Sequence, residues 1–179
     1  MNDEYRGKVA LITGGASGLG QATALAFARE KAKVVVADIW TTEGEETVRT
    51  IREAGGEAFF IKTDVGRRDE IEAMVQKTIE EYGRLDYAIN NAGVGQKLAL
   101  TADLAEEEWD RIMAIDLKSV FLCVKYEIPH MLKQGGGVIV NMASASGVHG
   151  TPYQCAYSAS KHAILGLTKT VALEDRKHV

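Results

Sequence analysis

The stretch KVALITGGASGLGQATALAFARE, residues Lys8 to Glu30, decides how this chain folds. It opens on a continuous apolar run, the pattern of a strand covered on both faces. A glycine-rich turn follows, with Gly14, Gly18 and Gly20 in a T-G-x-x-x-G-x-G spacing. Beyond it, Leu19, Ala22, Leu25 and Ala26, with Phe27 beside them, recur at helical spacing. Glycines allow a tight turn and close backbone approach. The free amides and the positive end of the helix dipole, around Ser17 to Gly20, then face a phosphate. The spacing differs from G-x-G-x-x-G, and taken alone it also fits a glycine-rich turn that holds no ligand.

Working outward, the same strand-then-helix unit repeats. KVVVA (33–37), EAFFI (57–61), LDYAI (85–89) and GVIVNM (137–142) read as further strands. Residues 19–30, 42–54, 68–82 and 106–133 carry helical periodicity, and a last helix runs from about Tyr157 to Arg176. Gly55-Gly56 and Gly135-Gly136-Gly137 mark handovers from helix to strand. This alternation predicts an α/β fold, a doubly wound parallel sheet in a single domain over residues 1–179. No strand follows the last helix, so Val138-Ile139-Val140 is expected on an uncovered sheet edge. The expected explanation is a truncated chain; a self-sufficient minimal domain is the alternative.

At 179 residues, 46% hydrophobic and 26% charged, the chain has the make-up of one soluble domain with a real core. A net charge of −4 with scattered Lys and Arg argues against nucleic acid as a partner. The polar start MNDEYRGK is not a signal peptide, and no apolar run approaches a membrane span. Two cysteines, Cys123 and Cys155, lack metal-ligand spacing, so no metal is expected and a reducing cytoplasm is the expected location.

Asp38 closes the second strand in VVVADIW, about twenty residues past the glycines, where an acid accepts hydrogen bonds from an adenosine ribose. It would also repel a 2′-phosphate, and neither Ser17 nor Ile39 offers a cation to hold one, so NAD is favoured over NADP. A solvated strand end or helix cap is the other reading of Asp38. Asp64-Val65 ends the third strand and Asn90-Asn91-Ala92-Gly93 the fourth, both at the crevice where open α/β sheets bind ligands. Asp64 is a candidate acceptor for the adenine amino group, and the NNAG turn a candidate lining for ribose and nicotinamide; either also reads as a plain turn signal.

Tyr157 and Lys161, four apart in YSASK, share one face of the last helix. A cation about 4 Å from a phenol, at an effective dielectric of about 20, is worth roughly 4 kcal/mol in favour of the phenolate, which suits acid–base work at neutral pH. Ser144, after the fifth strand, is placed to hydrogen-bond a substrate oxygen. A Tyr-x-x-x-Lys pair alone also fits a solvated helical face; Ser144 and the phosphate-binding turn tip the reading toward chemistry.

TGGASGLG, Asp64-Val65, NNAG, Ser144 and YSASK, in that order, resemble the short-chain dehydrogenase/reductase family across essentially the whole chain. The resemblance implies a Rossmann-like, NAD-binding domain and hydride transfer between nicotinamide C4 and a secondary alcohol or ketone. It implies Tyr157 as acid/base, Lys161 on the ribose hydroxyls and Ser144 polarising the substrate. A catalytically impaired or non-catalytic NAD-binding fragment is the alternative. Two departures stand out. The family usually has Asn in the long helix, helping to hold a relay water, where this chain has Asp116; Asp116 either keeps that relay with altered pH dependence or is a buried or capping acid. Family members also continue into further strands and a substrate lid that are missing here.

Other residues carry weaker expectations. His149 and Tyr153 read as substrate contacts or as ordinary loop residues, and His162 as pointing away from the site. Cys155 reads as a passive side chain, and Trp40 and Trp109 as packing residues. The resemblance implies a homodimer or homotetramer, formed through the last helix and the Val120–Val124 stretch.

Overall fold

The structure is a computed structural model and describes residues 3–174. Five strands, β1 (Val9–Thr13), β2 (Lys33–Asp38), β3 (Glu57–Lys62), β4 (Tyr87–Asn90) and β5 (Val138–Asn141), form one sheet in the order β3-β2-β1-β4-β5. All pairings are parallel. The helices are α1 (Gly18–Arg29), α2 (Thr41–Glu53), α3 (Arg68–Tyr82), α4 (Glu106–Ile112), α5 (Ser119–Gln134) and α6 (Cys155–Glu174).

Both faces of the central strands are covered, which is why their apolar runs are continuous rather than alternating. Val9 and Leu11 of β1 pack with Val35, Ile71, Met74 and Met131 beneath α3 and α5. Ala10 and Ile12 face the opposite way, onto Ala24, Ala28, Val48 and Ile51 of α1 and α2. Helix α6 lies outside α5, its Ile164 buried against Val120 and Val124. The crossover reverses between β1 and β4, which opens a crevice at their carboxyl ends.

Strand and helix positions follow the sequence reading to within a residue or two, and α3 spans Arg68–Tyr82 as expected. The uncovered edge is also present: Val138 and Val140 of β5 are 49% and 43% exposed. The expected end of the last helix at Arg176 lies outside the described residues. One expectation needs correction. The single helix over 106–133 is α4 and α5 joined by a π-helical segment, Met113–Lys118, whose wider turn inserts a residue and rotates Asp116 inward. Val120 and Val124 are buried against Ile164 of α6, while Phe121 between them is 46% exposed.

Candidate functional site

The site is built where β1, β2 and β4 end. Gly14 takes φ +67°, a left-handed turn that costs glycine nothing, and carries the chain from β1 into α1. Gly20 then packs so tightly that a Cβ there would lie 2.0 Å from the Gly14 carbonyl oxygen and 2.7 Å from Asn91 Nδ2. Gly20 therefore seats α1 against the Gly14 turn. Gly20→Ala is expected to cost about 3 kcal/mol or more in denaturant unfolding, since the clash is with backbone; a loss under 0.5 kcal/mol would show that α1 is not seated this way.

One compartment of the crevice, about 410 Å³, is lined by Gly14, Ser17, Gly18, Leu19, Asp38 and Ile39. Asp64, Val65, Asn91, Ala92 and Gly93 close its far side. Ser17 precedes α1 with no side-chain capping bond, so the first amides of that helix open into the cavity without a local acceptor. Asp38 Oδ2 accepts from the Ala16 N–H at 3.0 Å and Oδ1 from the Trp40 N–H at 3.1 Å. Two of its roughly four lone-pair directions are thereby used to shape the turn, and two are left for a ligand. Asp64 Oδ1 accepts from the Gly66 N–H at 2.8 Å, so it organises the entry to α3 while lining the cavity. Asn91 has a structural duty as well: its Nδ2 donates to the Thr13 carbonyl at 3.0 Å and tethers β4 to β1.

A second compartment, about 610 Å³, shares Leu19, Asn91, Gly93 and Val94 with the first, so the two form one continuous trough. Ser144, Tyr157, Lys161 and Asp116 all line it. Lys161 is buried at 4% exposure; its Nζ donates to the Met142 carbonyl at 3.2 Å and pairs with Asp116 Oδ2 at 3.5 Å. The same ammonium lies 5.5 Å from the centre of the Tyr157 ring. Asp116 is fully buried; its Oδ1 accepts from the Val94 N–H at 2.8 Å, and Oδ2 has the ion pair but no hydrogen bond. Burial pushes the Asp116 carboxyl above its ordinary range, against the opposing pull of Lys161. A Cβ on Gly93 would come 3.4 Å from both Asp116 Oδ1 and Lys161 Nζ, so the glycine makes room for this pair.

The chain matches the short chain dehydrogenase family model over residues 8–179. The chain belongs to the short chain dehydrogenase family. An uncharacterized oxidoreductase of Thermotoga maritima is 46% identical over 170 residues, 95% of this chain and 66% of the relative. The solved structure of levodione reductase superposes with a TM-score of 0.94 at 37% identity, covering 96% of this chain and 67% of that one. A xylitol dehydrogenase solved with NAD+ bound gives 0.93 at 34% identity, covering 96% and 66%. The chain thus spans about two thirds of the length of the proteins it matches.

Several site residues of this family member escaped the sequence reading. Trp40, expected in packing, is 53% exposed and lines the first compartment; its place two residues after Asp38 was the available signal. Trp109, also expected in packing, is 39% exposed. Gln96 Oε1 accepts from the Tyr157 N–H at 3.1 Å and so fixes the first turn of α6. Nothing local in sequence marks that contact. His149 and Tyr153 are exposed and stand off the trough wall. His162 turns away, its Nδ1 2.8 Å from the Ser158 carbonyl of its own helix. Among the described residues there is no cluster able to hold a metal ion, and no helix long and apolar enough to cross a membrane.

Proposed function

We propose that this chain is a dinucleotide-binding domain that also carries the acid–base residues of an oxidoreductase acting on NAD(H) and a secondary alcohol or ketone. The observation that supports this best is the continuity of the trough, with uncapped helix amides and a carboxylate at one end and Tyr157, Lys161 and Ser144 at the other. The left-handed turn at Gly14 and the open α1 amides suit a pyrophosphate. The two unused lone-pair directions of Asp38 suit ribose hydroxyls. NAD-bound xylitol dehydrogenase, with the same fold, agrees with this fit.

A bound nicotinamide supplies the hydride donor or acceptor. The chain's own residues do the rest. Tyr157 passes a proton between its phenolic oxygen and the substrate oxygen. Ser144 Oγ donates to that same oxygen and aligns it. The Lys161 ammonium has three N–H groups; the Met142 carbonyl accepts from one and Asp116 Oδ2 faces it as an ion pair, which leaves donor capacity for a ribose hydroxyl in the trough. Its charge stabilises negative charge developing on the Tyr157 oxygen. NAD titration followed by a turnover screen over secondary alcohols tests the reading. Absence of NAD binding would defeat it, and binding without turnover would favour a non-catalytic NAD-binding role.

Removing the Asp38 charge is expected to narrow the preference for NAD over NADP by about tenfold or more, roughly 1.4 kcal/mol, because the repulsion of a 2′-phosphate goes with it. Asp38→Ala with an unchanged ratio of dissociation constants would refute that role. Asp116 governs a different observable. As pH falls through its raised titration range, the negative charge beside Lys161 disappears. The pH–rate profile is therefore expected to show an acid-side inflection that Asp116→Asn removes; superimposable profiles would leave Asp116 with no part in the proton chemistry.

A further inference from the structure

A second buried carboxyl lies behind the trough, outside the groups assigned above. Glu127 of α5 is 0% exposed, and its one hydrogen-bonded partner among the described residues is Asn90 at the end of β4, whose Nδ2 donates to Glu127 Oε2 at 3.1 Å. The same Nδ2 donates to Asn141 Oδ1 of β5 at 3.0 Å. Asn141 Nδ2 in turn donates to Thr168 Oγ1 of α6 at 3.0 Å. The chain of bonds thus joins α5, β4, β5 and α6 in one polar line.

Two atoms on this line are buried without a hydrogen bond, Asn90 Oδ1 and Glu127 Oε1. Rotating the Asn90 amide by half a turn does not help, since it would set an oxygen against two acceptors. A proton on Glu127 does help. One O–H donor would satisfy an amide oxygen and remove a buried, unpaired charge in the same step. We propose that Glu127 is a positioning residue, held as a neutral carboxylic acid that donates to Asn90 Oδ1 and so fixes the ends of β4 and β5 on which the Lys161 ammonium rests.

The route to Lys161 is short. The Asn90 carbonyl accepts from the Met142 N–H at 3.0 Å, and the Met142 carbonyl is the acceptor of Lys161 Nζ. Thr168 anchors the same polar line to the helix that carries Lys161. Burial pushes the Glu127 carboxyl up to about 7 against the smaller opposing effect of Asn90. The titratable group facing it is the Cys123 thiol on its own helix, which burial and Glu127 together hold well above the ordinary thiol range and therefore neutral. The contacts from β4, β5 and α6 are amides and a hydroxyl, which do not titrate. Losing the Glu127 proton leaves a charge with no cation beside it among the described residues, and the line loosens beneath Met142.

The consequence for NAD rests on the function proposed above, whereas the protonation state does not. Carbon-detected NMR of the labelled chain between pH 5 and pH 9 reads the Glu127 carboxyl directly, with Glu127→Gln providing the assignment. The carboxyl is expected to titrate close to neutrality, the Met142 amide to move with the same midpoint, and that movement to vanish in Glu127→Gln. A Glu127 carboxyl already ionised at pH 5, or a Met142 amide indifferent to it, would overturn the proposal. The NAD dissociation constant is expected to rise several-fold above that midpoint in the parent and to stay level in Glu127→Gln; equal pH dependence in both would also overturn it. If NAD binds to neither protein at any pH, the dinucleotide reading fails, and the Met142 amide still decides the role of Glu127.

Discussion

Replacing Tyr157 with phenylalanine is expected to slow hydride transfer by about 10²–10⁴-fold, the usual worth of a positioned acid–base group. NAD affinity is expected to change by less than about tenfold, a difference of 1.4 kcal/mol. The split follows from geometry. Phenylalanine keeps the ring that lies 5.5 Å from Lys161 Nζ and keeps the backbone N–H that Gln96 holds. Only the phenolic oxygen is lost. The Lys161 ammonium stays anchored on Met142 and Asp116, neither of which depends on Tyr157. Single-turnover measurement of NADH formation, beside a fluorescence titration of NAD, separates the two effects. A variant that transfers hydride at the parent's rate would remove Tyr157 from the chemistry. A variant that loses binding and rate equally would assign it to the cofactor alone.

The second large effect is on stability. Glu127→Gln is expected to raise stability at pH 8 by about 3 kcal/mol and to leave it nearly unchanged at pH 4. The sign follows from the proton count. The Glu127 carboxyl has an ordinary value of 4.5 and is pushed up to about 7 in the fold, with burial the main cause. Below pH 4.5 both states hold the proton, and Glu127 costs the fold little. Between pH 4.5 and about 7 the folded state keeps a proton that the unfolded chain has released, so stability falls as pH rises. Above about pH 7 both states are ionised and the full cost persists. At about 1.4 kcal/mol per pH unit, this window gives the stated magnitude. Asp116, also raised by burial, adds slope of the same sign in both proteins and so drops out of the comparison. Urea unfolding at pH 4, 6 and 8 measures it. Parallel curves for the two proteins would mean that Glu127 ionises freely in the fold.

Both outcomes bear on how much of this molecule could be read in advance. Apolar runs, glycine breakers and helical spacing gave α3 its limits and placed each strand to within two residues, because each signal is carried by neighbours in the chain. The Tyr157–Lys161 pair was legible for the same reason, since four residues along a helix define a shared face. The inward turn of Asp116 was not. Nothing in MAIDLK announces a π-helical segment, which exists because α4 and α5 must both pack while the chain absorbs one extra residue. Glu127 is intermediate. It shares the helical spacing of Val120, Cys123, Val124 and Met131, all buried, so a stricter count of the apolar stripe would have marked it.

The double use of Asp38 and Asn91 shows the remaining limit. Their types suited ligand contact, yet each spends hydrogen bonds on the Gly14 turn or its neighbours, across 22 and 78 residues of chain. The sequence by itself determined the parallel sheet, the glycine turn after β1 and the family, since these rest on local order and on motifs read in series. The tertiary structure alone decided that Asp116 faces Lys161, that Gly20 packs against the Gly14 turn, and that Glu127 lies against Asn90. The physical reason is that burial and hydrogen-bond partners depend on which distant segments meet, and desolvation acts only once they have met.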